Sequence, residues 1–163
     1  MVEETKKQHG FVRIYKRKPQ QKPVLFSKEI NFNEGQSEWY VADSLGNKSL
    51  KLMKGNEYGE SVDFVLKDID ANARDLVYAE CEISTNENNM PGMCMSIDRD
   101  GVNKAFYTYG NLHLKKNSKG KTTFVMRLPE FVKETDKVTL FYWNNTPNEA
   151  IIDKMKVLVI DMK

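Results

Sequence analysis

Residues 137–163 constrain this chain more than any other stretch. They read Lys137-Val138-Thr139-Leu140-Phe141-Tyr142-Trp143-Asn144, then Thr146-Pro147-Asn148, then Ile151-Ile152-Asp153-Lys154-Met155-Lys156-Val157-Leu158-Val159-Ile160. Two β-branched and aromatic runs around an Asn/Pro turn predict an antiparallel hairpin. In the first run Val138, Leu140 and Tyr142 share the core-like face, which leaves Phe141 and Trp143 on the other. In the second run Ile151, Asp153, Met155, Val157 and Val159 fall on one face, against Lys154 and Lys156. That is a half-buried strand with an aspartate among core residues, and a buried carboxylate requires a partner.

The same period of two recurs along the chain. Strands are expected at residues 24–32, 49–53, 58–67, 76–84, 92–98, 104–109, 111–115 and 121–128, with Val62, Phe64 and Leu66 inward in the third. Turn signals fall every ten or so residues, and no segment reads as helix. This pattern predicts an all-β fold, an antiparallel two-sheet β-sandwich. A length of 163 residues suits one domain with a real core. The sandwich is expected over 24–163, preceded by a polar, basic arm at 1–23, in which residues 11–15 can form an edge strand.

Net charge is +2, which gives no case for nucleic acid. The balance is uneven. Residues 1–23 hold seven Lys/Arg and two Glu, and the remainder 18 basic and 21 acidic residues. A basic arm on a slightly acidic body is either a polyanion or membrane-surface contact or a solvated leader. The opening Met1-Val2-Glu3-Glu4-Thr5-Lys6-Lys7 has no apolar core of a secretory signal, and no apolar run is long enough to span a membrane. That leaves a cytosolic protein or a domain separated from its targeting segment. Of the two cysteines, Cys81 shares a face with Val77, Ala79 and Ile83, while Cys94 opposes Met93, Met95 and Ile97. One faces inward and one outward, so two free thiols are expected.

Several motifs, taken in order, carry a resemblance. They are Phe32-Asn33-Glu34-Gly35 followed by Trp39; Gly46-Asn47-Lys48-Ser49-Leu50-Lys51-Leu52; Leu76-Val77-Tyr78-Ala79-Glu80-Cys81-Glu82-Ile83; and the closing aromatic strand with Ile151-Ile152-Asp153. Their order and spacing resemble the galactose-binding-like jelly rolls that include many carbohydrate-binding modules. They are similar in particular to accessory domains of Bacteroidetes surface and periplasmic proteins. The resemblance implies a jelly roll, a glycan ligand, a place within a larger polypeptide and an extracytoplasmic location.

It also implies a structural calcium ion, held by Asn33, Glu34 and Asp153. Two departures weaken that set: Asn33 stands where a carboxylate is usual, and Lys154 replaces the acidic neighbour of Asp153. Calcium wants several hard oxygens; the alternative partners for Asp153 are backbone N–H groups or a lysine head. Asp98-Arg99-Asp100-Gly101-Val102-Asn103 reads as a hairpin turn rather than a calcium loop, because the distal glutamate is missing.

For a glycan the candidates are Tyr107, Tyr109 and Trp143 as platforms, with Asn144 and Asn145 as amide partners for hydroxyls. Core packing is the competing role for each ring. No nucleophile elbow, nucleotide loop or histidine cluster is present. Glu80 and Glu82 share a strand face but alternate with apolar residues, as a solvated face does. The expected function is a non-catalytic carbohydrate-binding or accessory module. The alternatives are an interaction domain without a sugar site and an accessory domain cut from a larger glycan-processing protein.

Overall fold

The structure is a computed structural model, and it describes residues 5–7, 10–12, 22–34, 36–85, 92–109, 115–144 and 146–163. Among the described residues, strands β1 (Thr5–Lys7) and β2 (Gly10–Val12) pair only with each other. The body follows: β3 (Val24–Asn31), β4 (Tyr40–Ala42), β5 (Lys48–Leu52), β6 (Val62–Val65), β7 (Leu76–Thr85), β8 (Gly92–Arg99), β9 (Val102–Tyr109), β10 (Ser118–Arg127), β11 (Lys137–Trp143) and β12 (Ala150–Ile160). A six-stranded sheet has the order β10-β7-β12-β5-β4, with β3 also on β12, and a four-stranded sheet the order β6-β11-β8-β9. All pairings are antiparallel. This is the two-sheet sandwich that the alternation predicts.

The core lies between the sheets, where Val77, Ala79, Cys81 and Ile83 of β7 meet Val138, Leu140 and Tyr142 of β11 and Met93, Met95 and Ile97 of β8. These are the inward sets read from the sequence. The strand expected at 58–67 is shorter, because the chain leaves it at Leu66–Ile69 as a 3-10 turn. Most of the strand expected at 111–115, and residues 13–15 of the arm, lie outside the described residues.

The closing hairpin is a correction. β11 pairs with β6 and β8, whereas β12 pairs with β3, β5 and β7. The Asn/Pro segment therefore carries the chain from one sheet to the other. The turn chemistry reverses the chain in either case, and only the pairing partners tell a hairpin from a crossover.

The odd aspartate has a local cause. The register with β7 shifts between Ile152 and Lys154, and Asp153 is the extra residue of a β-bulge. The bulge flips the parity of β12: Ala150 and Ile152 are buried before it, and Met155, Val157 and Val159 after it. Asp153 thus leaves the core face. On the same side of β12 the partner changes from β5 to β3 at this point.

Two buried carboxylates tie loops to the sandwich. Arg99, at the end of β8, grips Asp136 in a two-pronged pair at 2.6 and 2.8 Å, and the Lys133 N–H donates to the same carboxylate. Asp75 accepts from the N–H groups of Asn72 and Met162. Cys94 and Cys81 are both free and buried, on opposite faces of their sheets as expected, and burial pushes both thiols up. No helix among the described residues is long and apolar enough to cross a membrane.

Candidate functional site

The outer face of the four-stranded sheet holds a group of aromatic side chains that the core does not use. On β11, Phe141 and Trp143 alternate with buried Leu140 and Tyr142, so both point outward. Opposite them on β8 stand Cys94 and Gly92, and opposite Cys94 on β9 stands Thr108. Phe106 faces Ser96 one step further along.

Small residues on the middle strand let the flanking rings converge. Phe106 and Phe141 lie 6.1 Å apart across Cys94. Cys94 is fully buried although it faces outward, and its thiol donates to Thr108 Oγ1. Gly92 keeps this spot open: a Cβ there would sit 3.2 Å from the Thr108 methyl, which would have to give way.

Tyr58 completes the group. It bridges to Trp143 along the far edge of β11, and the Gly59 N–H donates to the Tyr142 carbonyl at 2.7 Å. A Cβ on Gly59 would meet Tyr142 Cβ at 3.2 Å, so glycine eases this close approach. The Tyr58 and Trp143 rings are nearly parallel, 9° apart in plane with centroids at 6.3 Å, and Tyr58 meets Phe141 edge-on. Tyr58 is 59 % exposed and Phe106 51 %. Four rings thus form a continuous apolar ridge at one end of the sheet. Toward the other end the face turns polar. Ser96 donates to Asp98, Asn103 donates to the same carboxylate, and Lys137 pairs with Asp63.

The expected platform of Tyr107, Tyr109 and Trp143 does not assemble. Tyr107 and Tyr109 pair with Met95 and Met93, whose side chains point between the sheets, so both tyrosines sit on the inner side of β9. Tyr107 packs on the core, and Tyr109 leans edge-on against Phe124 of the opposite sheet. Trp143 is on the outer side. The Phe106–Thr108 parity, opposite to that of Tyr107 and Tyr109, was the available signal for Phe106. Tyr58 had none, because the irregular residues 59–61 break the alternation that would have placed it inward.

Asn144 does not present a free amide to a ligand. It is fully buried. Its Nδ2 donates to the carbonyls of Leu52 and Asn148, its Oδ1 accepts from Thr146 Oγ1, and its backbone N–H donates to Glu57. It is the staple of the sheet-to-sheet crossover. Asn145 lies outside the described residues.

The residues proposed for calcium hold something else. Asn33 Oδ1 accepts from the Lys48 N–H at 2.7 Å. Asp153 accepts from Ser49 Oγ at 2.7 Å and pairs with the Lys119 ammonium. Asn33 and Asp153 therefore act on consecutive residues of β5, and Asp153 ties β12 to β5 and β10 rather than to the Asn33–Glu34 loop. Glu34 is exposed. Among the described residues no three His, Cys, Asp or Glu side chains converge on one point. A single carboxylate already bound to a lysine does not fit a calcium ion.

No protein-family model and no curated protein matches the sequence. Solved structures do match in shape. The N-terminal CBM22-1-CBM22-2 tandem of Paenibacillus barcinonensis Xyn10C aligns with a TM-score of 0.60 at 13 % identity, over 91 % of this chain and 53 % of the tandem. The chain thus spans about half of that structure. Its CBM22-2 xylan-binding domain alone gives 0.56 at 10 % identity, over 83 % of this chain and 99 % of that one. The CBM22-1-GH10 modules of Clostridium thermocellum Xyn10B give 0.53 at 10 % identity, over 85 % of this chain and 25 % of that one. The chain has the jelly-roll β-sandwich fold of these carbohydrate-binding modules.

Proposed function

We propose that this domain is a non-catalytic carbohydrate-binding module that holds a glycan chain on the outer face of its four-stranded sheet. The observation that carries the reading is the paired Tyr58 and Trp143 rings with Phe141 and Phe106 beside them. Sugar rings present apolar C–H faces, and flat aromatic side chains match them. Further along the same face Ser96 and Asn103 are bonded to Asp98, so the rings carry the contact. The tandem and xylanase contexts of the structural neighbours support a role as one module of a larger, extracytoplasmic polypeptide. Their xylan-binding titles make xylan the first ligand to test.

A shallow face buries little of a ligand, so affinity weaker than roughly micromolar is expected. Affinity electrophoresis and calorimetry with soluble xylan and a panel of linear β-glycans test the reading. Trp143→Ala and Tyr58→Ala should each abolish retardation, whereas Tyr109→Ala, on the inner side, should leave it intact. A bound glycan should also slow alkylation of Cys94, with Cys81 as the internal control. No retardation by any glycan of the panel would sink this reading and leave an interaction domain without a sugar site.

A further inference from the structure

A cleft of about 580 Å³ opens along β4, an edge strand of the six-stranded sheet. One bank comes from strand alternation. Tyr40 and Ala42 share a side of β4, and Lys48 stands opposite Ala42 on β5. Leu50, opposite Tyr40, is buried in the core, so this is the inner side of the sheet, at a rim where Ala42 is exposed. Gln36, Ser37 and Glu38 form the other bank.

The protein's own bonds fix both banks. Trp39 packs on the core, its N–H donates to Ser37 Oγ, and its carbonyl accepts from the Lys51 N–H at 2.8 Å. The Tyr40 N–H closes the turn onto the Ser37 carbonyl. Asn33 Oδ1 holds the Lys48 N–H. The Tyr40 ring meets Phe32 edge-on, and its hydroxyl donates to Glu60. A ring held in this way is a preformed wall. The rest of the lining mixes donors and acceptors. Among the described residues, the side chains of Gln36 and Glu38 have no hydrogen-bond partner. Ser37 Oγ accepts one bond and keeps its proton to give. Glu38 and Lys48 carry opposite charges, so the cleft favours neither an anion nor a cation. A flat ring beside an amide, a hydroxyl and a carboxylate suits a neutral, polyhydroxylated ligand.

We propose that this cleft is a second glycan site, which takes a short neutral stretch of glycan with one sugar ring against Tyr40. The proposal rests on the reading of the domain as a glycan binder, but it uses none of the four rings of the ridge.

The test is amide-shift mapping on the full chain, with xylohexaose and short oligomers of other linear β-glycans up to about 10 mM, the range a shallow site needs. The Gln36 side-chain amide and the Ser37 and Ala42 N–H signals should shift, and so should the Trp143 indole N–H of the ridge. In Tyr58→Ala/Trp143→Ala the cleft signals should shift as in the parent. In Ala42→Arg, which fills the cleft from an exposed position, they should need at least about tenfold more ligand, while the Trp143 indole responds unchanged. Cleft signals that stay still in the parent with every oligomer overturn the proposal. Cleft shifts that vanish with the ridge rings, or that survive Ala42→Arg at the parent's ligand concentration, overturn it as well. A moving cleft beside a still Trp143 indole upholds the proposal and sinks the ridge reading alone, and a moving indole beside a still cleft does the reverse.

Discussion

On the four-stranded sheet the outward residues of β11 run Trp143, Phe141, Thr139 beside Gly92, Cys94, Ser96 of β8. On the six-stranded sheet those of β7 run Tyr78, Glu80, Glu82 beside Leu158, Lys156, Lys154 of β12. The second face is largely satisfied within itself. The Tyr78 hydroxyl donates to Glu80 at 2.5 Å, Lys121 pairs with Glu80 at 2.9 Å, and Lys154 pairs with Glu29 at 3.2 Å. The first face sets large rings around small residues and leaves two of the rings half open to water. A face whose polar groups pair with one another offers a ligand little, while one that keeps rings exposed offers apolar area without a desolvation penalty for charge.

The largest effect is expected from the double variant Tyr58→Ala/Trp143→Ala. Glycan affinity should fall at least about 100-fold, roughly 2.7 kcal/mol, while the melting temperature moves by only a few degrees. Equal affinity in calorimetry would erase the functional contrast between the two faces. Next comes Phe141→Ala, which removes the roof of Cys94. A stability loss of about 2 kcal/mol in urea is expected, less than for a fully buried phenylalanine. Cys94 alkylation should accelerate, and that of Cys81 should not.

The ionic face should respond to pH where the aromatic one does not. The Tyr78 hydroxyl, and then the Lys121 ammonium, hold the Glu80 carboxyl below the usual range. Its contribution is therefore fully present above about pH 4.3, the ordinary glutamate value, and is lost as pH falls through the lower folded value. The hydrogen bond to Glu80 pushes Tyr78 up to about 12. That contribution is complete below about pH 10 and is lost as pH rises through 12. Glu80→Gln should flatten both limbs of a stability–pH curve. The limbs should be small, since the Lys121 end of the pair is half exposed and surface pairs are worth about 0–1 kcal/mol. Glycan binding should stay flat between about pH 5 and 9.

The smallest effect is expected at Asp153. Lys119 is mostly exposed, so Asp153→Asn should cost under about 1 kcal/mol. Neither protein should shift its melting temperature with calcium or a chelator, and a calcium-dependent shift in the parent protein alone would show that Lys119 yields to a cation.

Much of the fold was legible because alternation is a local signal. Val62 and Phe64, the β7 set and Val138, Leu140 and Tyr142 all point where period two puts them. The misreadings occur where something non-local intervenes. The partners of β11 and β12 cannot be read from the turn between them. The bulge at Asp153 inverts parity, and that made the aspartate look like a core residue. At the site, the outward direction of Phe141 and Trp143 follows from their neighbours in β11. Joining Tyr107 and Tyr109 to Trp143 required them to share a side, and their pairing with Met95 and Met93 places them on the other one. Tyr58 reaches the site through a bridge outside any regular strand, which no periodicity marks.

The position of β12 has a kinetic consequence. It lies inside the six-stranded sheet, with β7 on one edge and β5 and β3 on the other, yet it is the last strand in chain order. β3, the first strand of the body, has no described partner but β12. On a ribosome, β3 must therefore wait for almost the whole domain to emerge before it can pair, and β5 and β7 must wait for the strand that joins them. Pairings this distant in sequence close slowly, on the millisecond-to-second scale typical of sandwiches. During that interval the apolar flanks of β3, β5 and β7 stand open as strand edges.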